Sequence, residues 1–225
     1  MIKAVIFDLD GTLTEFNLDV KACRTEVIQN LSEQGIPKKL FSLNESAFDM
    51  LLKVSKHLGS TANKQKIEKL KKIIFTIVEK HELQAAKKTK MFPEIPETLR
   101  TLKEMNQKIA LCTISSEAAS GHILNQFDIK QFFDFIFPRE AVTQVKPHPE
   151  HLQVVLDALK LSPQETVLVG DSTKDVLCAS HLKILAVGVT TGLSSRIQLI
   201  DSGANYVISS VSEVPKLISK LNEQV

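Results

Sequence analysis

Tryptophan is absent, tyrosine occurs once, and glycine and proline number only eight each among 225 residues. That scarcity excludes a collagen-like repeat and a low-complexity linker protein, and a chain that is 43% hydrophobic and 24% charged is not a disordered one. The three cysteines, Cys23, Cys112 and Cys178, are odd in number, widely spaced and without a C-x-x-C pair. They exclude a disulfide framework and a cysteine-ligated zinc site, and read as small buried hydrophobes. Neither sign of charge predominates, since 28 Lys plus Arg stand against 26 Asp plus Glu for a net +2. Binding to nucleic acid or to anionic lipid is disfavoured, and small-molecule chemistry is the better expectation. No run approaches the roughly 18 to 20 uncharged apolar residues of a membrane helix. The apolar start from Met1 to Phe7 meets Asp8 too soon for the core of a secretory signal. The expectation is a cytoplasmic protein, one large domain or one domain carrying a smaller one, with neither a membrane nor a nucleic acid as partner.

Short runs rich in Val, Ile and Leu, at Ala4–Phe7, Ile109–Cys112, Thr166–Val169 and Ile184–Val189, read as strands buried on both faces. A further strand is expected near Tyr206–Ile208. Helical spacing fills the intervals at Glu97–Met105, Leu152–Leu159 and Val176–Leu182, with a last helix near Glu213–Leu221. Pro147 and Pro149 bracket a turn before a helix starting near Glu150. Alternation of this kind predicts an α/β fold, a parallel sheet with helices on both faces. It breaks between about Leu18 and Lys90, where amphipathic helices are predicted at Val20–Glu33, Glu45–His57 and Ala62–Ala86, separated by Gly35-Ile36-Pro37 and Gly59-Ser60-Thr61. The chain therefore divides into 1–16 with 91–225 and a helical insertion, 17–90. Lys64, Lys66, Lys69, Lys71, Lys72, Lys80, Lys87, Lys88 and Lys90 face only Glu68, Glu79 and Glu82 there. A solvated helix face explains them, against attraction of an anionic substrate or partner.

Acidic residues sit where predicted strands end. Asp8 and Asp10 flank Leu9 just after the first strand and in extended backbone project to the same side. Gly11 and Thr12 follow, letting the chain turn sharply. The bland alternative is an Asx turn. The strand at Ile109–Cys112 delivers Thr113, then Ser115 and Ser116, either of which would cap the helix at Glu117. Lys146 precedes a proline in a stiff turn. Val167–Val169 delivers Gly170-Asp171-Ser172, with Asp175 opening a helix, where Asp is often only a cap. Strand carboxyl ends are where open parallel sheets bind ligands. Four carboxylates gathered there raise one another's pKa and demand compensation, and oxygen-only ligands imply Mg²⁺ rather than zinc.

Asp8-Leu9-Asp10-Gly11-Thr12-Leu13, Thr113, Lys146-Pro147 and Gly170-Asp171-Ser172-Thr173-Lys174-Asp175 resemble, in order and spacing, the four motifs of the haloacid dehalogenase superfamily. The stretch Gly188-Val189-Thr190-Thr191-Gly192 resembles it too, and the insertion resembles a helical cap of type 1, as in phosphoglycolate phosphatase-like members. The resemblance implies a Rossmann-like core with a small all-helical cap, Mg²⁺, and an aspartyl-phosphate intermediate. It implies Asp8 as nucleophile and metal ligand, and Asp10 as general acid/base with its backbone carbonyl on the metal. Thr113 and Lys146 would hold the phosphoryl group, with Ile114 lining that site. Asp171 would bind the metal directly, and Asp175 directly, through water, or by orienting Lys146. Within the family, Asp10 favours phosphate-ester chemistry over carbon–halogen cleavage.

Departures from common phosphatase members occur at Thr14-Glu15-Phe16, at Ile114 and at Pro93-Glu94. None removes a catalytic group. Asn17, Lys21 and Arg24 are candidate substrate contacts or helix-surface residues; Asn44, Glu45 and Ser46 are a helix cap or a loop reaching the substrate; His148 is a solvated turn residue before it is a substrate contact. The expected function is hydrolysis of a small phosphorylated metabolite by a monomer or homodimer, the alternatives being a sugar phosphomutase and a phosphate-sensing protein with little turnover.

Overall fold

The computed structural model describes residues 1–59 and 63–223. Six parallel strands form one sheet: β1 (Ala4–Phe7), β2 (Lys108–Cys112), β3 (Phe135–Phe137), β4 (Thr166–Gly170), β5 (Leu185–Val189) and β6 (Tyr206–Ile208). They lie in the order β3-β2-β1-β4-β5-β6. The chain starts at the centre, builds outward through β2 and β3, then returns to place β4 against the other side of β1. Phe7 is thereby registered between Leu111 of β2 and Val169 of β4. The connections leaving β1 and β4 diverge in opposite directions, which opens a crevice at their carboxyl ends.

Every residue of β1 and of β4 is buried, as expected of strands covered on both faces. On one face Ile6, Ala110 and Leu168 pack with Leu152, Val155 and Leu156 of one helix, Glu150–Leu159, and with Val176 and Ala179 of another, Thr173–Leu182. The helix Ile95–Glu104 packs against β2 and against the last helix, Val214–Glu223, burying Ile95, Leu99 and Leu102. Three elements escaped the sequence reading in whole or in part. The strand β3 has only three residues, none fully buried, at the sheet edge. The helix Glu117–Gln126 was expected only at its first residue, and the helix Arg196–Asp201 was not expected.

The chain separates into two compact units, Met1–Asn17 with Ala86–Val225, and Leu18–Ala85. The second contains helices at Val20–Glu33, Ala47–Leu58 and Lys64–Ala86 around a core that includes Val27, Leu31, Met50, Val54, Leu70 and Ile74. The break expected at Ser60-Thr61 and the expected helix start at Ala62 lie outside the described residues. Asp19 caps the first helix by accepting from the Ala22 N–H at 2.9 Å. Ser46 and Asp49 form a reciprocal capping box on the second. Lys64, Lys66, Lys69 and Lys72 are exposed on the third.

The return into the first unit falls at residue 86 rather than 91 for a specific reason. The Thr89 hydroxyl donates to the Glu15 carbonyl at 2.8 Å, and the Glu15 N–H donates to the Lys90 carbonyl at 2.8 Å. Residues after Ala86 thus zip onto the segment that follows β1. Among the described residues no helix is long and apolar enough to cross a membrane.

Candidate active site

The site begins where β1 ends. The Asp8 N–H still donates to the Val169 carbonyl at 2.9 Å, holding the residue in register with β4. Immediately afterwards the Leu9 carbonyl accepts from the N–H groups of Thr12, Leu13 and Thr14. This tight turn places Gly11 at φ +86°, a conformation that side chains other than glycine rarely take. Close approach adds to the demand, since a Cβ on Gly11 would stand 2.4 Å from Asp171 Oδ2, and one on Gly192 would stand 2.0 Å from the same atom. Two backbones without side chains therefore cradle Asp171. Its carboxylate accepts from the Leu193 N–H at 2.7 Å and from the Thr12 hydroxyl at 3.3 Å.

Lys146 is the buried cation of the site, 3% exposed, at the start of a cis Lys146–Pro147 bond. Its Nζ donates to Asp8 Oδ1 at 2.7 Å, to Asp175 Oδ1 at 2.6 Å and to the Cys112 carbonyl at 2.7 Å. All three ammonium protons therefore have protein acceptors. Asp175 uses its other oxygen to accept from the Ser172 N–H at 3.1 Å and from the Ser172 hydroxyl, completing with the N-cap Ser172 the capping box of its helix. Of the roles the sequence left open for Asp175, a part in the helix cap and support of Lys146 are both seen as contacts.

Asp8, Asp171 and Asp175 each offer a carboxylate oxygen within 4.8 Å of the others, and all three are buried. Burial pushes the Asp8 carboxyl well above its ordinary range, with repulsion from Asp175 and Asp171 adding to the rise and Lys146 opposing it. Burial, then Asp175, pushes Asp171 up to about 6. Lys146 moves the other way from a lone buried amine. Burial would lower it, but attraction to Asp175 and Asp8 holds it well above its usual value. Three acids against one ammonium leave the pocket short of positive charge. A divalent cation that prefers oxygen fits this donor set.

Asp10 stands apart from that trio. Its Oδ2 accepts from the Ser115 hydroxyl at 2.6 Å. The expectation that Ser115 or Ser116 would cap the following helix resolves in favour of Ser116, which accepts from the Ala119 N–H at 3.2 Å. Thr113 extends β2 with its N–H on the Phe137 carbonyl at 3.0 Å, and its Oγ1 accepts from the Ser115 N–H at 3.1 Å. Ile114, between them, is half-buried.

Apart from Lys21, the outlying candidates have structural partners. Asn17 Nδ2 donates to Thr89 Oγ1 at 3.4 Å beside the Glu15–Lys90 pairing. Lys21 lies on the exposed side of the first helix of the second unit, and Arg24 there donates to the Leu43 carbonyl at 2.6 Å. The Asn44 N–H donates to the Ser42 hydroxyl, Glu45 accepts from the Ser42 N–H, and Ser46 caps its helix. Exposed His148 accepts from the Glu150 N–H at 3.2 Å. Residues that the sequence reading did not assign to the site are Thr12, Ser115, Ser172, Gly192 and Leu193. Gly192 had a legible signal, standing at the end of a Gly-x-x-x-Gly stretch after a strand.

Residues 5–189 match the family model described as haloacid dehalogenase-like hydrolase. A pyrophosphatase PpaX from Bacillus mycoides is 27% identical over 221 residues, covering 98% of this chain and 99% of its own length. A glyceraldehyde 3-phosphate phosphatase from Methanocaldococcus jannaschii is 29% identical over 233 residues, covering 99% of this chain and all of its own. Among solved structures, a hydrolase from Pseudomonas syringae superposes with a TM-score of 0.71 at 24% identity, covering 98% of both chains.

Proposed function

The chain belongs to the haloacid dehalogenase-like hydrolase family, and from that premise we propose that it is a Mg²⁺-dependent phosphatase of small phosphate monoesters. The observation that carries the reading is the division of labour among the acids. Asp8, Asp171 and Asp175 share one point, while Asp10 is held separately by Ser115. Asp8, Asp171 and the Asp10 backbone carbonyl would hold the Mg²⁺, with Asp175 reaching it directly, through water or by orienting Lys146, and the ion would supply neutralisation of charge on the phosphoryl oxygens.

In the proposed reaction an Asp8 carboxylate oxygen attacks phosphorus and the bond to the ester oxygen breaks. Asp10 gives its proton to the departing alkoxide, which leaves as an alcohol. Water then attacks the phosphorus of the aspartyl phosphate, Asp10 takes the water's proton, and the bond to Asp8 breaks to release inorganic phosphate. Lys146 holds Asp8 Oδ1 through a 2.7 Å bond, leaving the other oxygen of the nucleophile to be aimed. Thr113 and Ile114, at the end of β2, would meet the phosphoryl oxygens. We assign Leu18–Ala85 as the substrate-selecting cap.

The names of the relatives, a pyrophosphatase and a phosphatase, support transfer of the phosphoryl group to water over transfer to a sugar. Three buried free cysteines support a reducing, cytoplasmic setting. The test is release of phosphate from a panel of phosphorylated metabolites and an aryl phosphate, with and without EDTA. Asp8→Asn is expected to cost about 10³-fold or more in kcat, as loss of a nucleophile does. Retained hydrolysis in that variant, or full activity in excess EDTA, refutes the reading.

A further inference from the structure

We infer that Ser115 is a positioning residue for the acid/base carboxylate, acting on the reaction only through Asp10. The inference rests on the phosphatase reading above and assigns a residue to it that the motif pattern leaves out. Asp10 lies three residues beyond the end of β1, on the turn, and it is only half-buried. A carboxylate on such a turn must be aimed if it is to deliver a proton to one particular oxygen. Ser115 supplies the constraint from a different strand end, donating to Asp10 Oδ2 at 2.6 Å across 105 positions of sequence.

Ser115 is itself fixed from two sides. Its N–H donates to Thr113 Oγ1 at 3.1 Å, and its carbonyl accepts from the Arg139 N–H at 3.2 Å. The loop after β2 thus presents the hydroxyl as part of the same short segment that carries Thr113 and Ile114, and the position of Asp10 is referenced to the proposed phosphoryl site. The helix-capping work that would otherwise occupy this hydroxyl is done by Ser116. A hydroxyl also suits the task chemically, because it is both donor and acceptor. It holds a carboxylate by donating and a carboxylic acid by accepting, so the contact survives the step in which the alkoxide takes a proton from Asp10 and the step in which water returns one. A lysine or arginine in its place would favour the carboxylate alone.

A group that acts through the general acid is needed most when the leaving group is poor. The experiment compares kcat/KM for an alkyl phosphate and for p-nitrophenyl phosphate in wild type, Ser115→Ala, Ser115→Thr, Asp10→Asn and the Asp10→Asn/Ser115→Ala double variant, with thermal melts as a check on folding. General acid catalysis is worth about 10²–10⁴-fold. Ser115→Ala is therefore expected to lose on the order of 10- to 100-fold in kcat/KM on the alkyl ester and less than about 3-fold in kcat/KM on the aryl ester, with KM not raised, since kcat/KM reports phosphoryl transfer and not the hydrolysis of the aspartyl phosphate that follows. Ser115→Thr, which keeps the hydroxyl, restores most of the alkyl rate. In the Asp10→Asn background, removal of the hydroxyl changes neither rate by more than about 2-fold, because nothing remains to be positioned. Should Ser115→Ala fold poorly, Ser115→Gly removes the same hydroxyl. Equal losses on both esters, a raised KM, or a full additional loss in the Asp10→Asn background would mean that Ser115 touches the phosphoryl group or serves the fold, and would overturn the inference while leaving the phosphatase reading intact. No loss on either ester overturns it too. A wild-type protein inactive on both esters brings down the reading and the inference together.

Discussion

His151 offers a test of how the interior of the first unit treats charge. It is fully buried on the helix Glu150–Leu159, its Nε2 lies 3.3 Å from the Phe137 carbonyl, and burial, reinforced by Lys146, lowers its pKa from 6.5 to about 4. The folded protein therefore keeps a neutral imidazole where the unfolded chain binds a proton. For a base with a depressed folded pKa, stability is whole above 6.5 and is lost as the pH falls toward 4. At pH 5 the unfolded histidine is almost fully protonated and the folded one about one-tenth so. At about 1.4 kcal/mol per pH unit the loss is about 2 kcal/mol. Asp171 works against it in the same window. Its carboxyl is raised to about 6, so its contribution to stability grows as the pH falls through that value. The assay that separates the two is urea unfolding of wild type and His151→Gln at pH 7.5 and pH 5.0. The wild type should lose about 2 kcal/mol more than the variant across that interval. Equal losses in the two proteins would refute the claim that His151 is held neutral by burial.

Three further outcomes follow from the same geometry. Gly192→Ala, whose Cβ would stand 2.0 Å from Asp171 Oδ2, should weaken Mg²⁺ about 10- to 100-fold, read as a shifted Mg²⁺ dependence of activity with much of the rate recovered at high Mg²⁺. Gly121→Ala sits within the helix Glu117–Gln126 with nothing within 4 Å of the new methyl, and should raise stability by about 0.5 to 1 kcal/mol in urea unfolding without changing turnover. Lys146→Met removes the ammonium that Asp8 and Asp175 share and should cost about 3 to 5 kcal/mol of unfolding free energy at neutral pH.

The sequence makes the centre of the molecule legible and its margins obscure, for physical reasons. A strand covered on both faces must be a continuous apolar run, so β1, β4 and β5 announce themselves, and polar residues at their carboxyl ends stand out by contrast. Phe135–Phe137 lies at the sheet edge with one neighbour, too short for a periodicity to register. The helix Arg196–Asp201 does carry a signal, since Ser195 and Gln198 form a capping box, but its six residues are too few for an apolar stripe. The candidate acids, lysine and threonine are nameable from sequence because their chemistry is tied to residue type. Ser115, Thr12 and the Leu193 N–H are not, because a hydroxyl or an amide proton acquires its role only from what folding brings opposite it.

The paired crossing at Glu15–Lys90 has a consequence for engineering. Outgoing and returning chain are stitched together by the Glu15 N–H to Lys90 bond and by the Thr89 hydroxyl before residues 18–85 intervene. The chain thus leaves and re-enters the first unit at this one stitched pair. A shortened gene that joins Asn17 to Lys87 through a brief glycine bridge would keep that pair joined, and segments borrowed from relatives could be spliced at the same seam while every acid at the sheet's rim stays where it is.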